Sequence, residues 1–280
     1  MEPKVEIVEH GTLREVALNR PGAYNAFDLP TITLLAGTLA DLAADPTCEG
    51  VLISGRGKAF CAGGDLKWAL AWPGGPAAAF HRLAAQFHAA VLEIRRMNKP
   101  VAAAIHGPAA GGGFSLALAC DFRIMEKDAV LRQAYTSNGL CVDGAGTWTL
   151  PRLVGPARAM EILAFDPPIP AQKALEWGLI TALAENGKSR ETSLEILSRV
   201  AAGSLHAFGL SKRLLNESLD TPLEAQLEKE REGLASCAAQ PEGMEGLSAF
   251  AERRKPDFVE ARKRKVSEWP GPDSRTRKYH

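Results

Sequence analysis

The sequence predicts an α/β fold, because short β-branched segments alternate with longer helical patterns through its first half. Three observations support this prediction. Gly50–Ser54 is a short apolar run that is followed by glycines, as buried strands often are. Pro76–Met97 repeats apolar residues at a spacing of three to four, which is typical of an amphipathic helix. Pro100–Cys120 contains no charged residue but is broken by glycines, which indicates a buried strand, a turn and a buried helix rather than a membrane span.

The individual elements follow in order along the chain. Strands are predicted at Val5–Val8, Val16–Leu18, Gly50–Ser54, Val101–Ile105 and Phe122–Met125. Helices are predicted at Leu29–Leu42, Pro76–Met97, Phe114–Ala119, Ala157–Ala164, Ala171–Trp177, Glu191–Ala202, Pro222–Ala239 and Met244–Arg253. Before the helix at 222–239, Asp220 and Thr221 have the chemistry of an N-cap, and Pro222 is expected just inside the first turn.

The composition of the 280-residue chain excludes several classes of protein. With 46% hydrophobic and 24% charged residues, the chain is neither a disordered protein nor a disulfide scaffold. Lys+Arg and Asp+Glu are balanced at 33 each, which argues against nucleic acid and anionic membranes as partners. The five cysteines are odd in number and form no CxxC pair, and no basic-apolar leader opens the sequence. These features predict a cytoplasmic protein without a structural metal.

We divide the chain into three regions. Residues 1–200 are predicted to form the α/β core, and residues 201–258 a helical region that packs on the core or on a neighbouring subunit. Residues 259–280 are a basic tail that we expect to be flexible. The run Arg262–Lys265 in this tail is interpreted as a solvated helix face rather than a nucleic-acid site.

Two glycine-rich loops follow strands of the predicted sheet. The first is Lys58–Leu66, and the second is Ile105–Phe114, which opens a helix. Glycine lets backbone N–H groups approach a ligand closely, and a helix N-terminus favours negative charge. Two such loops facing each other could supply two N–H donors to one developing oxyanion, although each could also be a plain turn. Neither loop has the spacing of a nucleotide-binding motif.

Several motifs of the chain occur together in one known family. They are Leu18–Pro21 with Asn25 and Ala26, Phe60–Leu66, Ala109–Gly113, Ala174–Ile180 and Phe250–Phe258. Their combination resembles the crotonase, or enoyl-CoA hydratase/isomerase, superfamily, and the similarity extends over nearly the whole chain.

This resemblance implies a spiral of ββα units, acyl-CoA thioesters as substrates, and a homotrimer or a dimer of trimers built with the C-terminal helices. It implies that the backbone N–H groups of Gly64 and Gly112 are the oxyanion donors. Other residues of the first loop would lie along the CoA arm, namely Ala62, Gly63, Asp65 and Leu66. No cofactor is implied, because CoA is itself part of the substrate.

The type of reaction depends on the side chains around the oxyanion hole. Hydratases of the family carry two glutamates at positions that correspond here to Ser115 and Tyr135, and neither residue can be a carboxylate base. Asp143 remains, in a glycine-flanked turn that resembles the enoyl-CoA isomerases and the ring-epoxide isomerases of phenylacetate degradation. Because a single aspartate shuttles a proton in that branch, Asp143 is predicted to move a double bond in an unsaturated acyl-CoA. Asp143 could instead cap a helix at Thr147–Leu153.

Other functions stay open for the same residues. Aryl-CoA dehalogenases of the superfamily use an aspartate at the place of Asp143 as nucleophile, with an aromatic residue near Tyr135 and a histidine near His88. A dehalogenase or thioester hydrolase is therefore one alternative. His88 by itself, a lone histidine in a helical pattern, is more often a surface or packed residue. A hydratase-like enzyme and a non-catalytic acyl-CoA-binding protein are further alternatives, although intact Gly64 and Gly112 argue against a protein that only binds.

Overall fold

The computed structural model describes residues 3–264, and the predicted α/β fold is confirmed. Its strands are β1 (Val5–His10), β2 (Leu13–Leu18), β3 (Gly50–Gly55), β4 (Val101–Ile105), β5 (Pro108–Ala110), β6 (Phe122–Glu126), β7 (Val130–Arg132), β8 (Ile169–Pro170) and β9 (Ala182–Ala184). Its helices are α1 (Leu29–Ala44), α2 (Leu66–Leu70), α3 (Gly75–Arg96), α4 (Gly112–Ala119), α5 (Gly146–Phe165), α6 (Ala171–Glu176), α7 (Ser189–Ala201), α8 (Leu205–Glu217), α9 (Leu223–Ala238), α10 (Pro241–Ala251) and α11 (Phe258–Ala261).

The strands form two sheets that together define the ββα units. The larger sheet has the order β1-β2-β3-β4-β6-β9, in which β1 and β2 are antiparallel and the other neighbours are parallel. The smaller sheet has the order β5-β7-β8. The chain passes from β4 to β5 and then α4, and from β6 to β7 and then α5. Each of these units gives its first strand to the larger sheet and its second to the smaller one, which confirms the crotonase-like ββα architecture.

The core lies between the larger sheet and the two long helices α1 and α3, which pack against each other. Ile32, Leu35 and Leu39 of α1 are fully buried, because their spacing of three and four residues places them on one face. Burying each of these side chains stabilises the fold by roughly 1.5–3 kcal/mol. At the start of α1, the Asp28 carboxylate caps the helix by accepting a hydrogen bond of 2.9 Å from the Thr31 N–H.

A buried carboxylate joins several elements beneath the larger sheet. Glu15 of β2 is completely buried and accepts hydrogen bonds from Ser54 at 2.6 Å and from Nε of Arg190 at 2.8 Å. It also pairs with Arg56 at 3.2 Å and with His10 at 3.0 Å. Burial alone would raise the pKa of Glu15, but hydrogen bonds from Arg190, Ser54 and His10 outweigh it and lower the pKa from 4.5 to about 2.

The chain divides after Ser198 into two compact units. The second unit is helical. Its buried Glu242 accepts hydrogen bonds from the Ser204 hydroxyl at 2.9 Å, the His206 N–H at 3.0 Å and Arg262 Nε at 2.9 Å. The division into three regions stays a prediction. Within the predicted tail, Arg262 pairs with Glu242 and its side chain is only 16% exposed, so the predicted solvated face is wrong for this residue. The tail from Lys265 onward lies outside the described residues.

The main strands and helices predicted from the sequence are confirmed, with three differences. Pro222 is the N-cap of α9 rather than a residue inside it, and no side chain caps that helix, so the predicted capping is wrong. The Thr221 hydroxyl donates instead to the Glu217 carbonyl at 2.9 Å. The sequence analysis did not predict α8, although this helix has 13 residues. It also did not predict the strands β5, β7, β8 and β9, since segments of two or three residues show no periodicity.

Helix α5 also differs from its prediction, because it begins at Gly146 and bends at Gly155 (φ 75), just before the predicted start. Within residues 3–264, no helix is long and apolar enough to cross a membrane.

Candidate active site

A cavity of about 400 Å³ lies in the first unit. Its lining comes from the loop before α2, from α3, from the start of α4 and from the segment between β7 and α5. Phenylalanine rings make much of the lining apolar, and two of them, Phe27 and Phe87, pack with their ring centroids 5.2 Å apart. Within residues 3–264, Asp143 is the one carboxylate that lines this cavity.

Gly64 lines the cavity, and its backbone N–H takes no part in the hydrogen bonds of the surrounding loop. The neighbouring residues pair with Phe27: the Phe27 N–H donates to the Gly63 carbonyl at 2.7 Å, and the Asp65 N–H donates to the Phe27 carbonyl at 2.8 Å. These two bonds bracket Gly64, whose own N–H has no hydrogen-bond partner within the described residues. The Gly64 N–H is therefore available to a ligand in the cavity.

Gly112 provides a second N–H donor on the same cavity. It is the first residue of α4, so its N–H belongs to the first turn, where amides have no intrahelical partner. The structure describes no other partner for it within residues 3–264. At this position the helix dipole adds a partial positive charge. The Gly112 N–H is thus a suitable donor for an oxygen that gains negative charge.

The two loops that carry these amides are held together by backbone hydrogen bonds. Cys61 pairs with Ala109 as a parallel bridge, and the Ala110 N–H donates to the Cys61 carbonyl at 2.9 Å. The approach is so close that a Cβ at Gly113 would lie 2.1 Å from the Cys61 carbonyl oxygen. A Cβ at Gly63, whose φ is +93, would lie 2.6 Å from the Gly112 nitrogen. We call Ala62–Gly64 together with Gly111 and Gly112 the backbone wall of the cavity.

The structure separates the other residues that were predicted along the CoA arm. Ala62 and Leu66 line the cavity together with Gly64. Asp65 has partners within the fold: its carboxylate accepts from the Trp68 N–H at 3.0 Å as the N-cap of α2, and it pairs with Arg20 at 3.0 Å. Asp65 therefore shapes the loop from outside the cavity lining, and Gly63 does so through its close contact with Gly112.

Asp143 lines the same cavity and is partly accessible. Its side chain is 29% exposed, and its Oδ1 accepts a hydrogen bond of 2.6 Å from the Gly144 N–H. The N-cap of α5 is Ala145, in a left-handed conformation and without a side-chain cap. The alternative that Asp143 caps this helix is therefore wrong, and its carboxylate is available for chemistry.

His88 contacts the carboxylate of Asp143 through its Nε2. It projects from α3, and its side chain is 53% exposed. The two residues are 55 positions apart in the sequence, and no local pattern indicates the contact. Tyr135 and Asp143 line the cavity, whereas His88 reaches it only through its contact with Asp143. We call these three residues the side-chain wall.

Tyr135 completes the side-chain wall. Its hydroxyl lies 3.3 Å from the Ser115 hydroxyl and donates weakly to the Asp143 carbonyl at 3.4 Å. Burial raises the pKa of Tyr135 well above its usual value, so the phenol stays neutral. Ser115 is fully buried beside it. Neither residue supplies a carboxylate to the cavity.

Sequence reasoning missed Asp166, which holds the segment that carries Tyr135. Asp166 is 4% exposed, and its Oδ1 accepts a hydrogen bond of 2.8 Å from the Ala134 N–H. Its Oδ2 pairs with Arg132 at 3.1 Å and contacts the Ser137 hydroxyl. Ala134 has a φ of +48, a conformation that costs energy for a residue with a side chain. No sequence motif indicates this contact, because Asp166 lies 32 residues beyond Ala134.

The cysteines of the chain are all free, and they differ in exposure. Cys141 is exposed and lines the cavity, two residues before Asp143. Cys61 is buried, and burial raises the pKa of its thiol to about 12. Within residues 3–264, no group of three or more His, Cys, Asp or Glu side chains could hold a metal ion.

The arrangement allows a specific type of chemistry. Two N–H donors can bind a carbonyl oxygen that gains negative charge, and a carboxylate on the same cavity can take a proton from the carbon next to that carbonyl carbon. The ββα fold together with this cavity defines the crotonase class of enzymes. The chain belongs to the enoyl-CoA hydratase/isomerase family, whose sequence model matches residues 9–262.

Individual relatives of the chain differ in their reactions. The chain is 33% identical over 260 residues to 1,2-epoxyphenylacetyl-CoA isomerase of Escherichia coli, an alignment that covers 92% of this chain and 99% of that protein. It is 32% identical over 248 residues to 4-chlorobenzoyl coenzyme A dehalogenase-2 of an Arthrobacter species, covering 87% and 89%. A crystal structure of an enoyl-CoA hydratase from a Polaromonas species superposes with a TM-score of 0.85 at 32% identity, covering 90% and 98%. These similarities identify an acyl-CoA-processing family rather than one reaction.

Proposed function

We propose that the protein is an acyl-CoA isomerase, which moves a double bond within an unsaturated acyl-CoA through a thioester enolate. One observation carries the proposal. Two amides without a partner in the described chain, at Gly64 and Gly112, share an apolar cavity with a single carboxylate, Asp143. Moving a double bond requires one oxyanion site and one group that takes and returns a proton, and this cavity offers that set.

In the proposed reaction, the thioester oxygen accepts hydrogen bonds from the Gly64 and Gly112 N–H groups. Removing a proton from the carbon next to the thioester carbonyl carbon places negative charge on this oxygen. The two donors stabilise that charge, and they do so without reorganisation because the backbone wall is already fixed. The Ala62 and Leu66 side of the cavity would receive the CoA arm.

Asp143 would take the proton and return it to another carbon of the same allylic unit. A carboxylate can do both when it reaches both carbons, since an isomerisation has no net gain or loss of protons. The similarity to the 1,2-epoxyphenylacetyl-CoA isomerase of Escherichia coli supports this choice. Hydration is less well supported, because Ser115 and Tyr135 supply no second carboxylate to activate water.

A second candidate is supported by the contact between His88 and Asp143. If Asp143 attacked a haloaryl carbon, it would form an aryl-aspartyl ester and release halide, and if it attacked the thioester carbonyl, it would form a mixed anhydride and release the CoA thiolate. His88 could activate the water that cleaves either intermediate. This is the requirement of an aryl-CoA dehalogenase or a thioester hydrolase, and the Arthrobacter dehalogenase is similar over 87% of this chain.

A single turnover in water labelled with heavy oxygen distinguishes the two candidates. An isomerase leaves the Asp143 carboxylate unlabelled, because no ester forms there. A nucleophilic Asp143 acquires solvent oxygen when water attacks the carbonyl carbon of its side chain and cleaves the covalent intermediate. Mass analysis of the peptide that spans Gly139–Arg152 measures the label, and its appearance at Asp143 would replace the isomerase proposal with the second candidate.

A panel of 3-enoyl, 2-enoyl and aryl acyl-CoAs tests the reaction class directly. We expect movement of the double bond in the 3-enoyl-CoA and little hydration of the 2-enoyl-CoA. Fast hydration by the unmodified protein would contradict the proposal. Running the assay in deuterated water also shows whether the moved proton exchanges with solvent.

The remaining features of the proposal come from the sequence and the family. The enzyme would use no cofactor beyond the CoA that its substrate carries, and it would act as a homotrimer or a dimer of trimers. The free cysteines fit a reducing compartment, so we propose a cytoplasmic location. Gel filtration with light scattering would measure the oligomeric state.

A further inference from the structure

The carboxylate of Asp143 is held through one of its two oxygens. Oδ1 contacts Nε2 of His88 and accepts the hydrogen bond from the Gly144 N–H. Oδ2 has no hydrogen-bond partner among the residues that the structure describes. As the base of the proposed reaction, Asp143 enters it as a carboxylate, which only accepts hydrogen bonds, so we assign Nε2 of His88 as the donor between the two side chains.

Helix α3 fixes both donors of Oδ1. Phe87 packs against Gly144 so closely that a Cβ at Gly144 would lie 2.1 Å from Phe87 Cε1, and the φ of Gly144 is +61, so only glycine fits there. This packing sets the position of the Gly144 amide. The next residue of the helix, His88, reaches Oδ1 with its imidazole. Two adjacent residues of α3 therefore determine how the Asp143 carboxylate is oriented.

We infer that His88 is a positioning residue of the isomerisation, and that Oδ2 of Asp143 is the oxygen that takes the substrate proton. The inference rests on the proposed function. A substrate C–H bond breaks, its proton forms an O–H bond with Oδ2, and its electron pair enters the thioester enolate. The same O–H bond then breaks as the proton forms a C–H bond at the other allylic carbon. His88 transfers no proton to or from the substrate.

The role of His88 is to prevent rotation of the carboxylate. With Oδ1 held by two donors, Oδ2 keeps one position relative to the oxyanion donors, and the reacting atoms stay aligned. Without the imidazole N–H, one donor remains, and the side chain can turn about its terminal bond, whose torsional preference is broad. Substrate binding depends on other parts of the cavity, so it should be unaffected.

Two substitutions at position 88 test whether the N–H is what matters. His88→Gln places an amide N–H close to the position of Nε2, whereas His88→Leu removes the donor and keeps a similar volume. With a 3-enoyl-CoA as substrate, we expect His88→Leu to lower kcat by about 10²-fold with KM unchanged. His88→Gln should retain most of the wild-type kcat, and both variants should unfold at the temperature of the wild type.

Chemical rescue provides a measurement that a structural role would not change. The side chain of His88 is 53% exposed, so imidazole from solution can enter the space that His88→Ala leaves. We expect the kcat of His88→Ala to rise with imidazole concentration and to reach a plateau. His81→Ala is the matched control, because His81 is an exposed residue of the same helix that lines the cavity. Its kcat should not respond to imidazole.

The outcomes separate this inference from the proposed function. Wild-type kcat in His88→Leu would overturn the inference, and so would a His88→Gln variant as slow as His88→Leu. A His88→Ala variant that imidazole does not restore would also overturn it. If the wild-type protein moves no double bond in any 3-enoyl-CoA, the proposed function itself fails, which is visible before any variant is made.

Discussion

The two walls of the cavity are built in different ways. The backbone wall consists of amides and glycines whose positions are set by hydrogen bonds and close packing between the main chains of two loops. The side-chain wall consists of three side chains from α3 and from the segment before α5, joined by hydrogen bonds across 55 and 8 residues of sequence. The first wall is therefore fixed by the chain path, whereas single substitutions can rearrange the second. The two amides of the backbone wall are the fixed part of the cavity, and the side chains around Asp143 are its adjustable part.

Removing the base from the side-chain wall should have the largest effect. Asp143→Asn keeps the size of the side chain but replaces the carboxylate by an amide that accepts a proton poorly. We expect turnover of a 3-enoyl-CoA to fall by roughly 10²–10⁴-fold, the usual range for general acid–base catalysis. Steady-state kinetics measure the loss, and binding of the substrate by calorimetry should be retained. Turnover close to that of the wild type would remove Asp143 from the mechanism.

The backbone wall can be tested with two substitutions at one position. Both Gly112→Pro and Gly112→Ala add a Cβ, which would lie 2.8 Å from the edge of Phe27, but only proline removes the N–H. Proline is well tolerated in the first turn of a helix. We expect Gly112→Pro to turn over about 10²–10³-fold more slowly than Gly112→Ala. Equal rates for the two folded variants would show that the Gly112 N–H does not bind the oxyanion.

A substitution behind the side-chain wall should have a smaller effect on turnover. Asp166→Asn weakens the buried contacts with Ala134 and Arg132, so the segment that carries Tyr135 can shift. We expect turnover to fall by less than about 10²-fold. The free energy of unfolding should fall by about 1.5–3 kcal/mol, because charged hydrogen bonds are lost. Urea unfolding measures this change.

The control for Asp166→Asn is Asp128→Asn, at an exposed carboxylate. This substitution should change the unfolding free energy by less than about 0.5 kcal/mol. If the two variants lose the same stability, the contacts of Asp166 with Ala134 and Arg132 do not hold the segment that carries Tyr135.

Glu15 lines neither wall, and its substitution should leave turnover unchanged while lowering stability. Glu15→Gln leaves Arg190 without this charged partner and leaves Arg56 with Glu6 alone, and we expect a loss of about 3–5 kcal/mol in unfolding free energy. Glu9→Gln, whose carboxylate is 75% exposed, is the control and should cost little. A Glu15→Gln variant as stable as the control would contradict this expectation.

The same residue predicts how wild-type stability depends on pH. The folded-state pKa of Glu15, about 2, is lower than its ordinary value of 4.5. A group with a depressed folded-state pKa stabilises the protein above its unfolded pKa, and this contribution is lost as the pH falls from about 4.5 towards 2. Urea unfolding at pH 7, 4.5 and 3 should therefore show a steeper loss for the wild type than for Glu15→Gln. Parallel pH curves would contradict the assignment.

The sequence predicts the backbone wall better than the side-chain wall for a physical reason. Glycine is required at positions 63 and 113 by close backbone approach and at position 112 by the ring of Phe27, and these requirements are visible as a local motif. Asp143 was also found from its local turn. His88 was named as a possible partner of Asp143 only through the resemblance to the dehalogenases, and the contacts of Asp166 were not predicted, because both depend on the positions of α3 and α5. Contacts between residues this far apart in the sequence leave no local sequence pattern.

The longer elements were predicted for similar reasons, and the short ones were not. α1 and α3 have many turns over which apolar spacing repeats, so their existence is evident from the sequence. β5 and β7 have three residues each, and they form strands because they pair with each other across the smaller sheet. Their structure comes from the partner strand rather than from their own residues.

The exposed thiol at Cys141 makes the cavity accessible to chemical labelling. Thiol reagents attack thiolates, so buried Cys61, with its raised pKa of about 12, should be inert near neutral pH. Cys48 and Cys120 are buried as well, and Cys237 is partly buried with a raised pKa, which leaves Cys141 as the favoured target. A fluorophore attached there would lie at the cavity lining, two residues from Asp143. Its reaction rate, compared with and without an acyl-CoA, would then report occupancy of the site without any turnover.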